Sequence, residues 1–146
     1  MTHGGGGSFG WRTALIALIV GLVARQAEAQ ASPPGEGIGC ALAVFSAVAE
    51  VGSRCFNGQD QEVQIALQYS VSRLERFIVQ NSNTTTEEIE KFKQEQGRVG
   101  APEALLCHGD GPSLYKHFRT LGAARFRAEI DEMVARPGTP TFGSCL

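Results

Sequence analysis

The sequence predicts an all-α fold: a compact bundle of four to six helices, stapled by two disulfides and preceded by a cleaved signal peptide. Three observations carry this prediction. An uninterrupted apolar run at residues 14–24 ends in small-residue frames, Ala27-Glu28-Ala29 and Ala29-Gln30-Ala31. Apolar side chains recur at three- and four-residue spacing through most of the remainder, the period of a helix with one buried face. All four cysteines, Cys40, Cys55, Cys107 and Cys145, lie beyond the apolar run, and an even count behind a signal peptide reads as a disulfide framework.

The leader sets the organisation. A spanning helix needs about 20 apolar residues, whereas a run of about 7–15 ahead of an Ala-x-Ala site reads as a secretory signal. Residues 1–31 are therefore expected to be the signal peptide and 32–146 a single disulfide-bonded helical domain, with the mature chain starting at Gln30 or Ser32. The expected location is outside the cytoplasm, in the periplasm or the extracellular space, where disulfides persist. No second run in the mature part reads as a membrane span.

The elements follow in chain order. Residues 32–37, with Pro33 and Pro34, read as a flexible lead-in that keeps a helix from starting early. From Ile38 to Val51 the chain is almost wholly apolar, and only Ser46 and Glu50, four apart on one helical face, interrupt it. A helix apolar nearly all round is buried, so this is expected to be the central helix, running to about Cys55. Asn57-Gly58 supplies a turn with Asp60 as N-cap, and residues 61–80 then place Val63, Leu67, Val71, Leu74 and Ile78 on one face. Thr85 and Glu88 have capping-box spacing for a third helix with Ile89 and Phe92 inside and Gly97 as its stop. A short piece follows Pro102. Pro112 then opens a segment with Leu114, Phe118 and Leu121 inward, and Gly122 kinks or divides it before Phe126, Ile130, Met133 and Val134.

Helical rise restricts the disulfides. If Cys40 and Cys55 share one helix, about 1.5 Å per residue puts their Cα atoms roughly 22 Å apart. Bridged Cα atoms lie within about 7 Å, so that pair is excluded. Up-down packing favours Cys55–Cys107 with Cys40–Cys145, over Cys40–Cys107 with Cys55–Cys145.

Charge narrows the function classes. Counted from Gln30, the mature part has 11 Lys and Arg against 14 Asp and Glu, a formal charge of −3. That balance argues against nucleic acid as a partner, which a basic excess would mark. Cys107-His108-Gly109-Asp110 is the one place where cysteine, histidine and carboxylate crowd together, yet the flanking glycines and Pro112 give it the chemistry of a turn and helix start. His108 and His117 lack the tight spacing of metal ligands, so no metal or other cofactor is expected. Lys116, Arg119, Arg125 and Arg127 are basic, but Arg125–Glu129 and Arg127–Asp131 stand at ion-pair spacing. Asn83-Thr84-Thr85 is a glycosylation sequon in a polar loop, relevant in a eukaryotic secretory route.

The function expected is that of a small exported, non-catalytic protein that acts by binding another protein, as an inhibitor, an immunity protein, a chaperone-like factor or an accessory subunit. The alternative is a small secreted hydrolase using His108 and Asp110. Placement separates them: a hydrolase needs both side chains converging in a cleft.

Overall fold

The computed structural model describes residues 33–142; the signal-peptide and mature-start readings, and Cys145, lie outside them. The described residues form six helices and no strand, as the all-α expectation requires. They are α1 (Ile38–Cys55), α2 (Gln61–Asn81), α3 (Thr86–Gln96), α4 (Glu103–Leu106), α5 (Gly111–Leu121) and α6 (Ala123–Met133).

Helix α1 is central because its surface is apolar on nearly every side. It packs against α2, α3, α4 and α5, while α6 closes the bundle against α2 and α5. By length and composition alone α1 is also apolar enough to cross a membrane, with a mean hydropathy of 1.4. Here Leu42, Phe45, Val48 and Val51 are instead buried among its neighbours. The Phe45 ring stands edge-on to Phe118 at 5.1 Å and to Phe126 at 5.8 Å, joining α1, α5 and α6. Burying each such side chain stabilises by about 1.5–3 kcal/mol before entropy is counted.

The α2 stripe Val63, Leu67, Leu74 and Ile78 is buried as the spacing requires, and Val71 is partly so. The capping box is formed: Glu88 N–H donates to Thr85 Oγ1 at 3.2 Å and Thr85 N–H donates to Glu88 Oε2 at 2.7 Å. The Thr85 N–H, and the Thr85 hydroxyl donating to the same Oε2 at 2.9 Å, hold the Glu88 carboxyl below its ordinary value.

Four expectations change, and a fifth, Gly97 as the stop of α3, holds for a different reason. The lead-in is pinned rather than flexible. Gly39 N–H donates to Thr141 O, and Thr141 N–H to Gly35 O, both at 3.0 Å, so the tail lies across the start of α1. Asp60 occupies the N-cap position with φ 48°, but its carboxylate makes no cap and meets Arg119 at 3.3 Å. Gly97 ends α3 through close approach rather than conformation, since a Cβ there would sit 2.8 Å from Lys93 O and 3.1 Å from Ala43 O. The left-handed residue is Arg98, at φ 53°. The buried face of α5 carries Tyr115 and Phe118, whereas Leu114 is exposed and Leu121 only half-buried. On α6, Ala123, Phe126 and Ile130 point inward and Met133 outward. Gly122, at φ 86°, does divide α5 from α6.

Cys55 and Cys107 are bridged, with Cα atoms 5.6 Å apart, tying the end of α1 to the end of α4. Two bridges were expected and this one lies wholly within the described residues. Cys40 is not a free thiol.

Candidate functional site

The Cys107-His108-Gly109-Asp110 turn is fixed at its first residue by the disulfide and at its last by the start of α5. Leu114 N–H donates to Asp110 O at 3.0 Å, but the Asp110 side chain makes no cap. His108 and Asp110 are both exposed at the surface of the turn. His117 is exposed on α5, its ring edge-on to Phe118 at 6.5 Å. Among the described residues no group of three or more His, Cys, Asp or Glu side chains could hold a metal ion.

The basic residues are dispersed into separate contacts. Arg125 meets Glu129 at 3.0 Å, as its spacing predicts, and Arg119 reaches Asp60. The second expected pair is replaced. Asp131 accepts from Tyr69 Oη at 2.8 Å and from Arg73 Nε at 3.0 Å, both on α2, while Arg127 lies over the Tyr69 ring at 4.3 Å from its centroid. Asn83 is exposed in the α2–α3 turn, where Ser82 Oγ donates to Thr84 Oγ1.

A polar cleft between α1, α2 and α3 is not marked as a site by the sequence pattern, although part of its lining is visible there: Ser46 and Glu50 are the two polar interruptions of the apolar run in α1. The cleft measures about 390 Å³ and takes Ser46, Glu50 and Ser53 from α1, Gln68, Ser72 and Glu75 from α2, and Lys93 from α3. Lys93, its side chain only 13% exposed, donates to Glu75 at 2.7 Å and to Glu90 at 2.8 Å. Burial alone would pull its ammonium below the ordinary value, but hydrogen bonds to the two carboxylates outweigh burial and hold it above. Lys93 is thus a fixed cation, unsuited to act as a base near neutral pH. Glu50 Oε1 accepts from Arg54 at 3.2 Å and from Gly100 N–H at 3.1 Å, fastening the segment after α3 to α1. Ser46 is 3% exposed, and its Oγ has no hydrogen-bond partner among the described residues.

No family model matches this chain, and no curated protein or solved structure shows significant similarity to it.

Proposed function

We propose that this chain is a small exported protein that works by binding another protein rather than by catalysis. The observation that carries the reading is the exposure of His108 and Asp110 on an open turn. Acid–base chemistry on a bound substrate needs such groups converging at about 3 Å on a shared reacting atom, in a place that excludes water. A binder needs only a rigid scaffold and one complementary face of roughly 800 Å². The disulfide and the tail pinned across α1 supply the rigidity.

Export belongs to the same reading. Residues 1–31 act as the signal peptide, and the second bridge joins Cys40 to Cys145. Its support is proximity in the chain: Thr141 is bonded to Gly39, next to Cys40, and Cys145 follows four residues later.

The test is affinity capture by the mature, oxidised protein from the exported fraction of its own cells. The captured protein is then purified and titrated against wild type and the His108→Ala/Asp110→Ala double variant. A single partner bound with equal affinity by both is the expected result. Loss of a measurable hydrolytic activity in the double variant, with helicity and Tm unchanged, would overturn the binding reading. Edman sequencing of exported material should begin at Gln30 or Ser32.

A further inference from the structure

We propose that the surface shared by α2 and α6 is the docking face for a protein partner. The partner presents an acidic side chain to Arg73 and Arg127 and an apolar one beside it to Ile65. The inference deepens the protein-binding reading and rests on it.

The first ground is composition. Tyrosine and arginine are enriched at protein interfaces and dominate their binding energy. Here Tyr69 and Arg73 of α2 meet Asp131 and Arg127 of α6 at the surface. Ile65, four residues before Tyr69 and so its neighbour along α2, is 59% exposed. An aliphatic side chain this open beside an aromatic one offers a partner apolar area to bury.

The second ground is preorganisation. The Tyr69 hydroxyl donates to Asp131 Oδ1 at 2.8 Å, and Arg127 covers the Tyr69 ring at 4.3 Å from its centroid. Arg73 Nε donates to the same Oδ1 at 3.0 Å. Ordering long side chains on contact subtracts from affinity, and these three are ordered before a partner arrives.

The third ground is the set of donors left over. Among the described residues Arg127 forms no hydrogen bond or ion pair, and its guanidinium is held by the ring alone. Arg73 bonds only through Nε, so both of its Nη nitrogens stay available. A planar guanidinium matches a carboxylate through two parallel N–H···O bonds. Two such cations stand here against one carboxylate, on a chain whose formal charge is −2. Nucleic acid or an anionic bilayer calls for a broad basic surface. Arg125, the next basic residue of α6, is instead paired with Glu129 at 3.0 Å. A single acidic side chain matches both the charge and its small extent.

The experiment is an amide-resolved NMR titration of the mature, oxidised protein with three acetylated, amidated tetrapeptides: Leu-Glu-Glu-Leu, Leu-Gln-Gln-Leu and Leu-Lys-Lys-Leu. The expected result is saturable shifts at Ile65, Tyr69, Arg73 and Arg127 with the acidic peptide at millimolar concentration. The other two peptides should bind at least about tenfold more weakly. Arg127→Ala and Ile65→Ser, folded as wild type by circular dichroism, should each weaken acidic-peptide binding about fivefold or more. Arg125→Ala, on the same helix, should leave it unchanged. Equal binding of the acidic and glutamine peptides, absence of saturable shifts, or undiminished binding by Arg127→Ala would each overturn the proposal. Shifts of the same four amides with protein concentration alone would put a second copy on this face, and binding of phosphatidylglycerol vesicles in place of the peptide would put a membrane there. Either result also overturns it. If Arg127→Ala fails to fold, undiminished binding by Ile65→Ser decides against the face. A captured natural partner bound equally by wild type and Arg127→Ala would sink this face alone and leave the protein-binding reading standing.

Discussion

Gly52 and Tyr115 show how one missing methyl shapes the bundle. Tyr115 is fully buried, and its ring stacks on Phe56 at 4.6 Å with only 14° between the planes. The ring also lies against α1 at Gly52, where a Cβ would come within 2.6 Å of ring atom Cε2. The ring has little room to move, being fully buried with Phe56 stacked on it. Gly52→Ala would gain up to about 1 kcal/mol in helix propensity. Overpacking a tight site costs about 1–3 kcal/mol, so a net loss of stability is expected in urea unfolding. Unchanged or raised stability would show that α5 can shift. Residue-scale detail of this kind was only half legible. Leu114–Phe118–Leu121 and Gly111–Tyr115–Phe118 are both valid helical stripes sharing Phe118. Spacing cannot choose between them, whereas the slot opened by Gly52 can. Ser46 and Glu50 were visible as interruptions of an apolar face, but their common cleft needs Glu75 and Lys93 from two other helices.

Elements were more legible than their partners. The spacing in residues 61–80 locates α2 to within one residue of its observed end, and the Thr85/Glu88 capping box locates the start of α3. Cross-helix pairing is another matter, as α6 shows. Position i,i+4 favours Arg127–Asp131, but Tyr69 and Arg73 of α2 offer Asp131 better donors, and Arg127 turns to the Tyr69 ring. The Tyr69 hydrogen bond, assisted by Arg73, holds the Asp131 carboxyl below its ordinary value. A folded-state pKa depressed in this way stabilises the fold above the unfolded value, about 3.9, and that contribution is lost as pH falls through the lower folded value. The clamp between α2 and α6 should thus be fully present at neutral pH and fade below about pH 4. Asp131→Asn should lower stability at pH 7 and flatten its dependence on pH in the acid range. Parallel acid-unfolding curves for wild type and variant would refute the assignment. Asp131 is 44% exposed, so solvent keeps the effect modest.

At the scale of the molecule, the length of α1 does most to organise the fold. A continuous α1 forbids Cys40–Cys55, and the bridge to Cys107 follows from where an up-down chain returns. Function was far less legible, for a physical reason. A catalytic constellation and a complementary binding face are both assembled in space from several elements, and spacing along the chain does not show which elements meet. The Cys55–Cys107 bridge is the feature on which the whole scaffold can be tested. It closes a loop across 52 positions and fastens α1 to the turn bearing His108 and Asp110. Loop-closure entropy gives about 4 kcal/mol for a ring of this size, and measured bridges of the kind contribute about 2–4. A domain this small has only about 5–15 kcal/mol in all, so the double variant Cys55→Ser/Cys107→Ser should lose a large fraction of it. The expected readout is a fall of roughly 2–4 kcal/mol in urea unfolding, with far-ultraviolet helicity retained at low temperature. Phe45, Phe118 and Phe126 pack α1, α5 and α6 against one another without help from the bridge. A variant as stable as wild type would mean that the unfolded chain is already compact enough for the crosslink to remove little entropy. Complete loss of helicity at low temperature would mean instead that the aromatic core cannot assemble until α1 and α4 are joined.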